Sequence, residues 1–217
     1  MKLKKKTKRV LTFILLVLII IAGFFIYSKF FASSPTKIKK VDSIPKYGYN
    51  LKSTHPDEYK KLFSELKEIL SEEKVNEEAY AKKISQMFIY DFFSLDYKVA
   101  KTDVGGVEFV NPYIEKNFLD NAQNTYYKYV ESNIYGNRDQ SLPRVTKPTV
   151  DSAEQSSYKY TYIKNNKEIE NSDPKAYKVK IKWEYTKSAF DDYQDEGTLV
   201  LIHHGKKLEI VELKEEK

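Results

Sequence analysis

Cysteine is absent from the chain. That absence removes disulfides, thiol nucleophiles, Cys-ligated zinc and the lipid-modified cysteine of a bacterial lipoprotein. Stability must therefore come from a packed core alone. Histidine is scarce, with only His55, His203 and His204. The last two are neighbours near a strand end, where adjacent side chains point to opposite faces and chelate one ion poorly. All three read as solvated cap or turn residues, and no metal or cofactor is expected. Beyond the first nine residues arginine is limited to Arg138 and Arg144. No P-loop, nucleophile–base set, internal repeat or low-complexity tract is present.

Basic excess is missing from most of the chain as well. The formal charge is +6, from 37 basic and 31 acidic residues. Six of the cations (Lys2, Lys4, Lys5, Lys6, Lys8 and Arg9) precede everything else and have no acid among them. Without those six, 31 basic residues face 31 acidic ones, so the remainder carries no basic face for nucleic acid. The basicity is a topology signal.

What is abundant is apolar sequence at one end and tyrosine throughout. Val10 to Tyr27 reads VLTFILLVLIIIAGFFIY, without a charge. At about 1.5 Å per residue this run makes roughly 27 Å of helix, close to the roughly 30 Å of a bilayer core. The concentrated cations before it, against the dilute Lys29, Lys37, Lys39 and Lys40 after it, place the N-terminus in the cytoplasm. A cleaved signal peptide is the rival reading. Phe30 at the −3 position relative to Ala32 and the long apolar run favour retention as an anchor. The expected organisation is a cytoplasmic tail (1–9), a transmembrane helix in the lipid bilayer (10–27), a tether (28–53) and an extracytoplasmic domain (54–217).

Within the domain, helical periodicity comes first. Tyr59, Leu62, Phe63, Leu66, Ile69 and Leu70 follow a start at Thr54, Pro56 and Asp57. Asn76 caps a second helix with Ala79, Tyr80, Ile84, Met87, Phe88 and Leu95 inward. Asn111 and Pro112 open a third, predicted to run through Ile114, Phe118, Leu119, Ala122, Tyr126 and Tyr129 or Val130 until Gly136. Period two takes over at Tyr158, Tyr160 and Tyr162, then at Tyr177, Val179, Ile181, Trp183 and Tyr185 against alternating Lys. Leu199 to His203 and Leu208 to Leu213 form a closing hairpin around His204-Gly205-Lys206. In the tether, Tyr47, Tyr49 and Leu51 alternate like an edge strand packing on the domain. The fold class is α+β, about three helices over a curved antiparallel sheet.

Helices first, then a meander ending Gly197-Thr-Leu-Val-Leu-Ile-His-His-Gly-Lys-Lys-Leu-Glu-Ile-Val-Glu-Leu213, resembles the cone-shaped nuclear-transport-factor-two-like fold. With one N-terminal anchor the layout also resembles the small inner-membrane assembly proteins of type IV secretion and conjugation machines. The resemblance covers roughly residues 54 to 213 in element order. It implies a cavity inside the sheet, where related folds hold acids, and no specific functional residue.

Five residues stand out as candidates. Asp91 lies on the apolar stripe of the second helix, three and four residues after Phe88 and Met87. It is a buried structural acid or a catalytic one. Arg138 and Arg144, where lysine otherwise supplies the cations, suggest bidentate partners or a loop pinned by ion pairs to Asp91, Asp96 or Asp103. Asp103 opens Asp103-Val-Gly-Gly-Val-Glu108, which offers backbone donors to an anion or makes a tight turn. Trp183, with Tyr158 and Tyr160, would line an aromatic groove for a small ligand or glycan, or simply pack. With no nucleophile–base set, the sequence favours a binding or assembly module working through a protein partner, self-association included. An envelope enzyme or a small-ligand or glycan-binding protein centred on Asp91 is the alternative.

Overall fold

The computed structural model describes residues 36–164, 167–186, 190 and 192–215, with Val17 and Ile21 ahead of them. Two compact units divide the chain: Met1–Thr36 with Ile134–Asn137, and Lys37–Asn133 with Arg138–Lys217. In the first, Val17 and Ile21 are helical and exposed. Thr36 N–H donates to Ile134 O at 2.6 Å. The rest of the expected membrane span, the cytoplasmic tail and residues 28–35 lie outside the described residues. Among the described residues, no helix is long and apolar enough to cross a membrane.

The second unit is α+β. It opens with a hairpin, β1 (Lys40–Ile44) and β2 (Tyr49–Lys52), in the stretch read as a tether. Tyr47, Tyr49 and Leu51 turn inward, as their alternation suggests. The Tyr49 hydroxyl hydrogen-bonds that of Tyr80, which ties the hairpin to the helical layer.

Helix α1 (Asp57–Ser71) starts at Pro56 with Asp57 and Glu58 in its first turn, where acids suit the dipole. It buries Tyr59, Phe63, Leu66 and Leu70, one stripe at helical spacing. Helix α2 (Glu77–Phe93) is capped by Asn76, whose side chain accepts the Ala79 N–H. From Ile84 to Phe93 it is buried nearly all round, because α1 covers one side and the sheet another. Helix α3 (Glu115–Asn124) is shorter than the periodicity predicts, ending at Thr125 rather than near Gly136. The cause is a pair of neighbours: Tyr126 and Tyr127 both turn inward, their hydroxyls donating to the carbonyls of Phe93 and Phe92. A helix would set adjacent side chains about 100° apart, so the backbone leaves helical geometry to deliver both.

The sheet is antiparallel, ordered β3 (Thr149–Lys164), β4 (Lys167–Lys182), β5 (Glu196–His204) and β6 (Lys207–Lys214). Tyr177, Val179, Ile181 and Trp183 are buried while Lys178 and Lys182 face water. Pro174 sits in β4 where the register to β3 shifts, so its missing N–H leaves no ladder bond open. β4 pairs with β5 only from Tyr177 onward. The distal halves of β3 and β4, from Tyr158 and up to Asp173, therefore run on beyond β5 as a two-stranded arm. Gly205, at φ 63°, makes the closing β5–β6 turn in the left-handed region.

Candidate functional site

Asp91 is buried, as its place on the α2 stripe predicts, and is fully occupied by internal partners. Its Oδ1 takes the Lys98 ammonium and the Tyr97 hydroxyl, the latter at 2.7 Å. Its Oδ2 accepts the Gly106 N–H at 2.7 Å. The Gly-Gly turn does offer a backbone donor to an anion, and the anion is the protein's own carboxylate. Gly105 packs so tightly that a Cβ there would stand 2.0 Å from the Asp91 carbonyl oxygen. Burial alone would raise the Asp91 pKa, but Lys98, His55 and the Tyr97 hydrogen bond bring it below the usual carboxylate range.

His55 is the departure from expectation. It is 3% exposed, not a solvated cap, with its ring 4.1 Å from that of Tyr59. Nδ1 accepts the Lys52 N–H at 3.2 Å, which leaves the neutral ring's proton on Nε2. Nε2 faces Asp91 Oδ1 at 3.6 Å and makes no hydrogen bond. Burial lowers the His55 pKa to about 4, with Lys98 adding to the effect and Asp91 opposing it. Next to this knot, Glu108 accepts the Asn50 N–H at 2.9 Å. Burial raises it to about 7; the Asn50 bond pulls it back down and the Asp91 charge pushes it further up. Neither His55, Lys98 nor Glu108 has a local signal in the sequence, because their partners come from distant segments.

The other candidates scaffold the same region. Asp103 Oδ2 accepts the Val99 N–H, and its Oδ1 lies 3.5 Å from Lys52 Nζ. Arg138 donates to main-chain carbonyls of Lys98, Glu131 and Asp96, at 2.8, 3.1 and 2.6 Å. Arg144 pairs with Asp96 at 2.6 Å, one of the ion pairs anticipated. Trp183 packs instead, its ring against Phe93 at 4.6 Å and its Nε1–H donating to Tyr185.

His203 and His204 diverge as adjacent strand residues must. His203 Nδ1 meets Asp173 and His204 Nδ1 meets Glu209, each at 2.8 Å. Among the described residues no group of three or more His, Cys, Asp or Glu could hold a metal ion.

An open concavity lies elsewhere. The arm, the turn at Asn111–Ile114 and Val211 of β6 enclose a groove of about 760 Å³. Tyr158, Tyr160 and Tyr162 stand in file along it, with ring centroids 6.5 and 6.1 Å apart and planes nearly parallel. Tyr113 stacks face to face on Tyr162 at 3.8 Å. Tyr158 spans to β6, donating to Glu212 at 2.9 Å. The tyrosine row is legible as alternation in β3, but Tyr113 arrives from another segment with no local pattern to announce it. No protein-family model, curated protein or solved structure matches the chain.

Proposed function

We propose that the chain is a binding or assembly module, held by one N-terminal span on the outer side of the cytoplasmic membrane and working through a protein partner. One observation carries the choice of binding over catalysis. Asp91, the acid that the sequence singles out, has both oxygens committed to Lys98, Tyr97 and Gly106. A catalytic acid needs reach to a substrate proton. The protein partner draws support from β3: among the described residues it pairs with β4 on one side and with no strand on the other. Such an edge is a template for an added strand from another chain, a second copy included. The order of elements supports the nuclear-transport-factor-two-like reading of the domain, and the uncharged run at 10–27 supports the anchor.

The test is cross-linking in intact membranes followed by affinity capture. The wild type is expected to retain a defined partner or a second copy. A variant with proline substitutions along the unpaired edge of β3 is expected to lose it. A wild-type protein recovered reproducibly as a partnerless monomer would end this reading. For topology, protease added to wall-stripped cells is expected to degrade the domain without lysis.

A further inference from the structure

We infer that the groove under the β3–β4 arm is a binding site for an uncharged oligosaccharide, distinct from the free edge of β3 and independent of whether that edge docks a protein. Three tyrosine rings, Tyr158, Tyr160 and Tyr162, run along one side of it, and Tyr113 caps the row by stacking face to face on Tyr162. Sugar rings present apolar C–H faces that rest on aromatic surfaces, while their hydroxyls seek groups able both to donate and to accept. The groove supplies such groups in the tyrosine hydroxyls and in Asn171, whose amide donates to the Tyr160 hydroxyl at 3.0 Å.

Charge narrows the ligand class. The lining carries one cation, Lys159, and one anion, Glu170. A phosphate-rich or polyacidic ligand would call for an excess of cations. A lipid tail would call for a mostly apolar lining, which Ile114 and Val211 alone do not make. Size narrows it again. About 760 Å³ falls in the range of small-ligand sites, whereas a stable protein interface is a broad surface of about 800 Å² per partner. The file extends over several rings, which suits an oligosaccharide better than a single sugar. Tyr129, 75% exposed and absent from the groove lining, provides a built-in control.

The experiment is calorimetric titration of the full chain in nanodiscs with chitotetraose, cellotetraose and maltotetraose, repeated for Tyr160→Ala, Tyr162→Ala and Tyr129→Ala. Trp183 emission, from a buried ring remote from the groove, reports whether each variant is folded. At least one sugar is expected to bind, with Kd rising about tenfold or more in each groove variant and unchanged in Tyr129→Ala. Silence from all three sugars at millimolar concentration would overturn the inference. So would binding indifferent to the groove variants. If the groove variants abolish capture of a protein partner while no sugar binds, the saccharide assignment fails and the binding-module reading stands.

Discussion

Two groups beside the Asp91 knot titrate in opposite senses, and their opposition can be measured. Glu108 is held at about 7 in the fold, from an ordinary 4.5. His55 is held at about 4, from an ordinary 6.5. Between 4.5 and 7 the folded carboxyl keeps a proton that the unfolded chain has released, so Glu108 costs stability as pH rises through that window. Between 6.5 and 4 the unfolded imidazole takes a proton that the fold refuses, so His55 costs stability as pH falls through that window. In the overlap both states hold one proton on this pair, on the carboxyl when folded and on the imidazole when unfolded. Their slopes cancel. Each displacement corresponds to about 3 kcal/mol at about 1.4 kcal/mol per pH unit. Going from about pH 7 to about pH 5 realises about 2 kcal/mol of each.

Single substitutions unmask the cancellation. The charged groups around the pair, Lys52, Lys98, Lys207, Asp91 and Asp103, are common to every variant, so differences between variants isolate it. Urea unfolding of the detergent-solubilised chain, followed by Trp183 emission, is the assay. Relative to wild type over the same acidification, Glu108→Gln is expected to lose about 2 kcal/mol and His55→Gln to gain about 2 kcal/mol. If both variants track the wild type in parallel, Glu108 is ionised and His55 takes up its proton in the fold as readily as in the unfolded chain, and both displacements are wrong.

Two further outcomes follow from the same packing. Asp91→Ala leaves the Lys98 ammonium buried and unpaired, and should cost about 3–5 kcal/mol in urea unfolding, whereas Asp91→Leu with Lys98→Met should recover most of that loss. Gly105→Ala drives a Cβ to within 2.0 Å of the Asp91 carbonyl oxygen and should cost about 3 kcal/mol. Gly48→Ala, at φ 72° in open space, should cost about 1 kcal/mol, so equal thermal shifts for the two glycine variants would refute the steric account.

Elements whose apolar pattern is local were legible: the stripe of α1, the cap and greasy end of α2, the buried face of β4 and the closing hairpin. Elements defined by pairing were not. The first half of β3, Thr149 to Ser157, is mostly polar and gives no strand signal. It is a strand because β4 presents a ladder to it, a case of tertiary context overriding propensity. The early part of β4 hides likewise behind Pro174. Periodicity carries the expected third helix too far, because it continues through Tyr126 and Val130 after the hydrogen bonds of Tyr126 and Tyr127 have ended the helix. At the candidate site, Asp91 was legible from its own helix. Its partners are not, since His55, Lys98 and Gly106 reach it through the fold rather than through spacing.

The knot and the groove lie on one continuous length of backbone, and this gives the buried charges a role that their energy alone does not. An apolar replacement of the Asp91–Lys98 pair would match its stability. It would not replace the bond that fixes Gly106, whose N–H donates to Asp91 at φ 73°. From Gly106 the chain passes through the short helical turn Val107–Phe109, then Val110 bridges Ile210 of β6 and the Asn111 N–H donates to the Ile210 carbonyl. Tyr113 follows, its own N–H held by the Asn111 side chain and its ring on Tyr162. The carboxylate therefore sets the start of the segment that carries one ring of the groove. In the Asp91→Leu, Lys98→Met protein the global stability recovers while Gly106 loses its acceptor, so the residual defect should appear as faster hydrogen exchange from Gly106 to Tyr113. Unchanged exchange there would mean that β6 alone positions Tyr113 and that the knot serves only the helical layer.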